Sequence, residues 1–170
     1  MNTFSSECIL PARAILGEGA CWFAAEQRLY WVDILRCEVH RFDPATGTDE
    51  VRKTPCHVSL VQPTTQGDLV LGTRDGIARM DFESGKFSLL CDPEAGIPGN
   101  RFNDGKCDPA GRFWAGTMEF GGTVNAGALY CLDAEHNVTE KLKPVTISNG
   151  IVWTADASTM YYICTHANNV

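Results

Sequence analysis

The sequence predicts an all-β protein made of repeated antiparallel sheets. Four short apolar segments recur along the chain: LYWVD at 29–33, LVLGT at 69–73, FWAGT at 113–117 and MYYIC at 160–164. Aligning Tyr30, Val70, Trp114 and Tyr161 gives spacings of 40, 44 and 47 residues, which is the repeat length of β-propeller blades. Helical periodicity is almost absent. A parallel α/β sheet, which needs crossover helices, is therefore not expected.

A second strand follows each of the first three apolar segments. These strands are VHRFDPATG (39–47), GIARMDFESG (76–85) and GALYCLDAEHN (127–137), and Asp, Pro and Gly supply their turns. A further turn precedes each apolar segment, in AAEQR, TTQGD, DPAGR and TADAS. Each repeat is thus expected to run strand, turn, strand, connection, strand.

The chain has room for roughly three and a half blades. We expect residues 1–170 to form a single partial β-propeller with no second domain. Propellers need at least four blades to close. Open sheet edges are therefore expected, and with them a tendency to self-associate through these edges.

Charge and composition narrow the possible partners. Acidic residues outnumber basic ones by 21 to 14, which gives a net charge of -7. This balance argues against a nucleic-acid partner and favours a cationic ligand. No apolar run reaches the roughly 20 residues that span a membrane, and the N-terminal residues do not resemble a secretory signal. The eight cysteines lie singly, without a CxxC pair, so we expect reduced thiols and a cytoplasmic location.

Three oxygen-bearing side chains stand in register with the repeat. Glu18 lies 12 residues before Tyr30, Asn149 lies 12 before Tyr161, and Asn103 lies 11 before Trp114. Equivalent positions in a radial repeat face the same axis, so these side chains are expected to converge. One carboxylate and two amides suit Ca²⁺, Mg²⁺ or Mn²⁺ and do not exclude Zn²⁺. The alternative is that Glu-Gly and Asn-Gly only build turns.

The stretch RFNDGKCDPAGRFWAGTM at 101–118 contains more than a turn requires. Asp104 and Gly105 fit a turn, and 113–117 is expected to be the inner strand of the third blade. Arg101 and Asn103 are surplus to that need and are candidate binding residues. The segment MEFGGTVNAG after this strand is long for the repeat, which favours either a loop over a binding mouth or a tolerated surface insertion.

These motifs resemble one known family, the regucalcin (senescence marker protein), gluconolactonase and luciferin-regenerating enzyme group of six-bladed β-propellers. The resemblance is carried by LGEGACW with LYWVDI, by RFNDGKCDPAGRFWAGTM, by GALYCLD, and by ISNGIVW with MYYI. It implies a metal-dependent hydrolase that acts on a sugar lactone. Glu18 and Asn149 correspond to metal ligands, and Arg101 and Asn103 to substrate-binding residues.

The resemblance also implies that one metal ligand of the family, which is also its general base, is not among residues 1–170. The family's third ligand, an Asp that is also taken as the general base, belongs to a later blade, so the catalytic residue of this chain is unknown. Cys164 stands where the family commonly has Asp, a change expected to be structural. In the loop after Gly116-Thr117-Met118, Glu119 is the only acid. We expect the isolated chain to be poorly stable and inactive. Alternatives are a non-catalytic fragment that binds calcium or a partner, and hydrolysis of another ester such as an organophosphate.

Overall fold

The computed structural model describes residues 5–166, and every regular element in this range is a strand. The strands are β1 (Gly17–Phe23), β2 (Arg28–Asp33), β3 (Glu38–Asp43), β4 (Thr48–Lys53), β5 (Val58–Pro63), β6 (Leu69–Thr73), β7 (Gly76–Met80), β8 (Phe87–Cys91), β9 (Asn100–Cys107), β10 (Phe113–Glu119), β11 (Gly127–Leu132), β12 (Val138–Val145), β13 (Ser148–Trp153) and β14 (Met160–Cys164). No helix within 5–166 is long and apolar enough to cross a membrane.

The strands form antiparallel meanders that confirm the predicted blades. Three sheets have four strands each, in the orders β1-β2-β3-β4, β5-β6-β7-β8 and β9-β10-β11-β12, and β13 and β14 form a two-stranded sheet. The first strands of successive sheets contact one another, β1 with β5, β5 with β9 and β9 with β13. The described residues therefore make three blades and the inner half of a fourth around one axis.

Two apolar clusters hold neighbouring blades together. The first joins blades one and two through residues such as Val32, Val61 and Leu71, all fully buried. The second joins blades two and three around Leu60 and Phe102. Side chains of a strand alternate between its two faces, so each blade can contribute one face to each neighbour. These faces fix the rotation between blades and hence the positions of the inner strands.

One detail of the sequence prediction was wrong. The inner strand of the third blade is β9, and β10, which contains 113–117, is the second strand. Asp104 and Gly105 therefore lie inside a strand rather than in a turn. A Cβ on Gly105 would lie 2.3 Å from the Trp114 carbonyl oxygen, so glycine is required here by the close approach of β9 and β10.

Candidate active site

Each inner strand has a β-bulge near its N-terminal end. The pairing with the second strand slips after Glu18 in β1, after Val58 in β5, after Phe102 in β9 and after Asn149 in β13. A bulge places an unpaired residue on one strand and re-aims its side chain. The three Gly-rich sequences that were compatible with turns thus build three of these bulges, and the fourth lies in β5, which contains no glycine.

The strand register defines which residues are equivalent. Gly17, Val58, Phe102 and Ser148 pair with Asp33, Thr73, Thr117 and Cys164, which are the corresponding positions of the four second strands. The residues that follow them are Glu18, Ser59, Asn103 and Asn149. Three of these four were singled out from the sequence. Ser59, which lies 11 residues before Val70, was missed although the same count would have found it.

Ser59 has a structural task. Its buried hydroxyl donates to the Phe102 carbonyl oxygen at 2.6 Å and to the Gly72 carbonyl oxygen at 3.2 Å. The second blade therefore uses its bulge to hold the backbone of the third, directly beside Asn103.

Asn103 and Asn149 are in contact across the third and fourth blades. The Asn103 Nδ2 atom donates to the Ser148 carbonyl oxygen at 2.7 Å and to Asn149 Oδ1 at 3.4 Å. The Nδ2 atom of Asn149 donates to Thr165 Oγ1 at 2.7 Å. With its nitrogen held by Thr165, the Asn149 side chain turns its oxygen toward Asn103, and an amide oxygen is a suitable ligand for a hard cation.

Arg101 lies beside this pair and is nearly buried, with 8% of its surface exposed. Its Nη1 atom donates to Asn103 Oδ1 at 2.7 Å and to the Phe102 carbonyl oxygen at 3.0 Å. Its Nε atom is buried without a hydrogen-bond partner. Burial lowers the pKa of Arg101, and the nearby charge of Glu18 opposes this shift. A buried guanidinium with an unused donor is suited to binding an oxygen atom of a ligand.

Glu18 is exposed near the start of β1. With Asp104 and Gly150 it lines a cavity of about 280 Å³ where the bulges of the first, third and fourth blades meet. Of the four predicted residues only Glu18 lines this cavity, and Arg101 lines a neighbouring one beside Phe120. The strand register places Glu18, Asn103 and Asn149 at equivalent positions of their blades. Asn103 is hydrogen-bonded to both Arg101 and Asn149, whereas Glu18 reaches Arg101 through its charge.

The donor set fits a hard divalent cation, although residues 5–166 contain no group of three or more His, Cys, Asp and Glu side chains arranged to hold a metal. Glu18 supplies a carboxylate and Asn149 an amide oxygen, and Ca²⁺ normally takes 6–8 oxygen ligands. The described residues therefore offer part of a coordination shell.

Asp104 adds a second carboxylate to this cavity. Its Oδ1 atom accepts a 2.8 Å hydrogen bond from the Gly105 amide. Burial raises the pKa of Asp104, while the Gly105 amide, the charge of Lys106 and the Gly150 amide act in the opposite direction. The sequence prediction treated Asp104 as a turn residue and assigned it no place in the site.

The long loop after β10 folds over Arg101. The Phe120 ring centroid lies 5.2 Å from the Arg101 guanidinium carbon and 5.1 Å from the ring centroid of His57. Glu119 turns away into its own loop, where its Oε2 atom accepts hydrogen bonds from the Gly121 amide and from Thr123. These contacts lower the pKa of Glu119. The wall of the site at this loop is therefore aromatic.

Cys164 and Asp33 hold equivalent places at the ends of β14 and β2. The Asp33 carboxylate accepts hydrogen bonds from the Ile15 and Leu16 amides, at 2.8 and 3.2 Å. The Cys164 sulfur accepts one from the Thr146 amide at 3.4 Å. Both anchor the segment that leads into an inner strand, so Cys164 fills a backbone-anchoring position.

The buried carboxylate of Glu94, which was not singled out from the sequence, stabilises the strand that carries Arg101. Glu94, in the loop between β8 and β9, accepts hydrogen bonds from the Asn100 side chain at 2.9 Å, the Thr117 hydroxyl at 2.9 Å and the Tyr130 hydroxyl at 3.0 Å. It fixes the entry of β9, where Arg101 begins the site. Its loop has no periodic pattern, so only tertiary contacts identify it.

Comparisons with known proteins agree with this architecture. Residues 16–170 match the profile of the SMP-30/Gluconolactonase/LRE-like region. A 6-deoxy-6-sulfogluconolactonase of Pseudomonas putida is 35% identical over 156 residues, which are 92% of this chain and 54% of that protein. Regucalcin of Gallus gallus is 37% identical over an alignment of 170 positions, which covers 96% of this chain and 56% of that protein.

The fold is also that of solved structures. A calcium-binding protein, regucalcin, from Agrobacterium tumefaciens superposes with a TM-score of 0.91 at 30% identity, covering 97% of this chain and 56% of that one. The chain spans about half the length of the curated relatives it matches.

Proposed function

The chain belongs to the SMP-30/Gluconolactonase/LRE-like family, and from this premise we propose that its site, once complete, hydrolyses a sugar lactone with one divalent metal ion. The observation that carries the proposal is the buried Arg101, whose Nη1 atom is bound to Asn103 while its Nε donor is unused. Relatives of the chain include a 6-deoxy-6-sulfogluconolactonase, which is named for a sugar lactone.

Each residue has a separate task in this proposal. Glu18 and Asn149 hold the metal ion, which is Ca²⁺, Zn²⁺, Mg²⁺ or Mn²⁺. When bound, such an ion polarises the lactone carbonyl as a Lewis acid. Arg101 donates to an oxygen of the sugar, and Asn103 contacts the substrate and keeps the Arg101 guanidinium oriented.

The third ligand and the general base lie outside this set. Neither Glu119, which is bound within its own loop, nor Glu94, which is buried under three hydrogen bonds, is placed to activate water at Arg101. Residues 1–170 alone are therefore proposed to bind metal weakly and to be catalytically inactive. A later carboxylate would complete both the coordination and the chemistry.

Two measurements test this function. Isothermal titration of the 170-residue chain with Ca²⁺ and Mn²⁺ should show weak binding that falls roughly tenfold or more in Glu18→Gln. The variant Glu135→Gln, an exposed carboxylate in the turn between β11 and β12, is the matched control and should bind like the wild type. Hydrolysis of glucono-δ-lactone by the purified chain, abolished by a chelator and by Glu18→Gln, would contradict the proposed inactivity.

A second candidate function is the binding of a partner through the exposed face of the two-stranded sheet formed by β13 and β14. Val152, Tyr161 and Ile163 share one face of the β13–β14 sheet and expose 52%, 51% and 41% of their surfaces. The corresponding faces of the other blades pack against a neighbouring sheet. We propose that a blade-like sheet, in a second copy or a longer chain, covers this face.

Light scattering across a concentration series tests this second function. The wild-type chain should associate as its concentration rises, and Tyr161→Glu should weaken the association. A wild-type chain that stays monomeric at all concentrations would exclude self-association through this face.

A further inference from the structure

His57 is the second-blade equivalent of Arg101. His57 precedes Val58 and Arg101 precedes Phe102. Val58 and Phe102 hold the same register position in their blades. The His57 carbonyl oxygen accepts a 2.9 Å hydrogen bond from the Arg74 amide, which continues the pairing of β5 with β6 by one residue. The side chains of His57 and Arg101 therefore leave neighbouring inner strands at the same level of the axis.

The first and fourth blades carry apolar residues at this level. Leu16 takes the position in the first blade and Ile147 in the fourth. Their carbonyl oxygens accept hydrogen bonds from the Ile34 and Thr165 amides at 3.0 and 3.1 Å, so the register matches that at His57. Among the four described inner strands, hydrogen-bonding side chains at this level thus lie next to each other, in the second and third blades.

Phe120 packs against both of these side chains. Its ring centroid lies 5.1 Å from the ring centroid of His57, with 41° between the ring planes, and 5.2 Å from the Arg101 guanidinium carbon. The Phe120 side chain is partly exposed, and its backbone amide is held by the Gly99 carbonyl oxygen at 2.9 Å. An aromatic surface with a few placed polar groups is typical of a small-molecule site. It suits a sugar, whose C–H bonds can pack on the ring while its hydroxyl groups bind the polar side chains.

Both flanking side chains have an unused hydrogen-bonding atom. The Nδ1 atom of His57 and the Nε atom of Arg101 are buried without a partner among residues 5–166. An unpaired buried polar atom costs stability, so its presence in a fold needs a reason. The His57 side chain as a whole is only partly buried, so a ligand can reach its ring. A neutral imidazole has one donor and one acceptor, which match the acceptor and donor of a sugar hydroxyl.

We propose that His57 is a second substrate-binding residue, which forms a hydrogen bond with a hydroxyl group of the sugar while Arg101 binds another of its oxygen atoms. The sugar then lies over the second and third blades, against Phe120. This inference rests on the proposed function, because it specifies how that same site holds its substrate.

A competing role for His57 is to support the Phe120 ring. Two variants separate binding from support. His57→Phe keeps a ring against Phe120 and loses both nitrogens, whereas His57→Asn keeps a polar group near the place of Nδ1 and loses the ring. His136→Gln, in the exposed turn between β11 and β12, is the matched control.

The probe is 1,5-anhydro-D-glucitol, which has the ring and hydroxyl groups of glucono-δ-lactone and does not hydrolyse. It is titrated into the 170-residue chain and followed by NMR. The ring C–H signals of His57, assigned by their loss in His57→Phe, should move with the same dissociation constant as the Asn103 side-chain amide, and those of His136 should stay in place. Affinity should fall about fivefold to tenfold in His57→Phe and stay within about threefold of the wild type in His57→Asn.

The possible results distinguish this inference from the proposed function. If the Asn103 amide moves and the His57 signals do not, the role of His57 is overturned while the substrate site stands. If neither moves, the substrate site is contradicted and His57 binds no sugar. Unchanged affinity in His57→Phe with a loss in His57→Asn would show that the ring only supports Phe120, and would overturn the proposal. The Trp31 indole N–H, bound to Asp49 in the first blade, reports whether each variant is folded.

Discussion

The Ser59 hydroxyl donates a 2.6 Å hydrogen bond to the carbonyl oxygen of Phe102, although the two residues belong to different blades. Ser59 is the second-blade equivalent of Glu18, Asn103 and Asn149. At this position one blade therefore supports the backbone of the site, while the others provide side chains that face it. This difference in role results from the residue type at one repeated position, which is serine in the second blade and Glu or Asn in the others.

Removing this hydroxyl should destabilise the chain. Ser59→Ala leaves the buried Phe102 carbonyl oxygen without this donor and is expected to lower the free energy of unfolding by about 1–2 kcal/mol. Urea denaturation measures the change. Ser88→Ala, at an exposed position of β8, is the control and should stay within about 0.5 kcal/mol of the wild type. Equal stability of the two variants would show that the Ser59 hydrogen bond makes no net contribution to the free energy of unfolding.

Much of the site could be predicted from the sequence because the repeat is regular. The spacing of the apolar segments located the second strands, and counting back from them gave Glu18, Asn103 and Asn149. The count works because the connection from the inner strand to the second strand is a short turn of nearly constant length. The structure confirms the blades.

The rest of the site could not be predicted from the sequence, because it depends on tertiary contacts that leave no pattern in the sequence. Gly105 follows Asn103 and Asp104, which is also the composition of a turn, so the bulge could not be told from a turn by residue type. Glu94 and Phe120 lie in loops of irregular length. Glu94 reaches the strand of Arg101 through hydrogen bonds to residues far along the chain, and Phe120 reaches Arg101 through a ring contact.

The requirement for glycine at position 105 gives a second prediction. A Cβ at Gly105 would lie 2.3 Å from the Trp114 carbonyl oxygen and 2.8 Å from the Ala115 Cα, both of which are backbone atoms. Gly105→Ala should therefore force β9 and β10 apart and lower the free energy of unfolding by about 3 kcal/mol or more.

Thermal unfolding followed by circular dichroism checks this expectation. Gly96→Ala is the matched control, because a Cβ there meets nothing within 4 Å. That variant should unfold at the wild-type temperature or slightly above it. A Gly105→Ala chain as stable as the control would show that the two strands can separate at little cost.

A third prediction concerns acid. Burial raises the pKa of Asp33, but the amides of Ile15, Leu16 and Arg36 outweigh it and lower the pKa below its ordinary value of 3.8. A carboxyl group with a lowered folded pKa stabilises the fold above its unfolded pKa, and this stabilisation is lost as the pH falls through the folded value. The stability that Asp33 provides should therefore be complete above about pH 5 and should decline below about pH 4.

Urea denaturation of Asp33→Asn and the wild type at several pH values measures this effect. At neutral pH the variant should be less stable by about 2 kcal/mol, because the amide offers fewer acceptors to the three backbone donors. The difference should narrow below about pH 4. Glu135→Gln, which removes an exposed carboxylate, controls for the change in net charge. A difference that stays constant with pH would contradict the lowered pKa of Asp33.

A fourth prediction follows from the carboxylate behind the site. Burial raises the pKa of Tyr130, and the charge of Glu94 and its hydrogen bond to the phenol raise it further. Replacing Glu94 by Gln removes the charge, so the Tyr130 phenol should ionise at a lower pH than in the wild type. Tyrosinate absorbance measures the transition, and Tyr130→Phe identifies it by removing it.

The same replacement should loosen the entry of β9. Gln presents one acceptor oxygen to the three donors of Asn100, Thr117 and Tyr130, which the Glu94 carboxylate satisfies with two oxygens. Glu94→Gln is therefore expected to cost about 1–2 kcal/mol of stability. Glu94→Ala should cost about 3 kcal/mol, because the Tyr130 hydroxyl loses its acceptor in Glu94 while Asn100 and Thr117 keep only the Ala126 and Ala128 carbonyl oxygens. If the Tyr130 transition does not move while stability falls, Glu94 acts through packing rather than through its charge. If neither changes, the hydrogen bonds of Glu94 do not hold β9 in place.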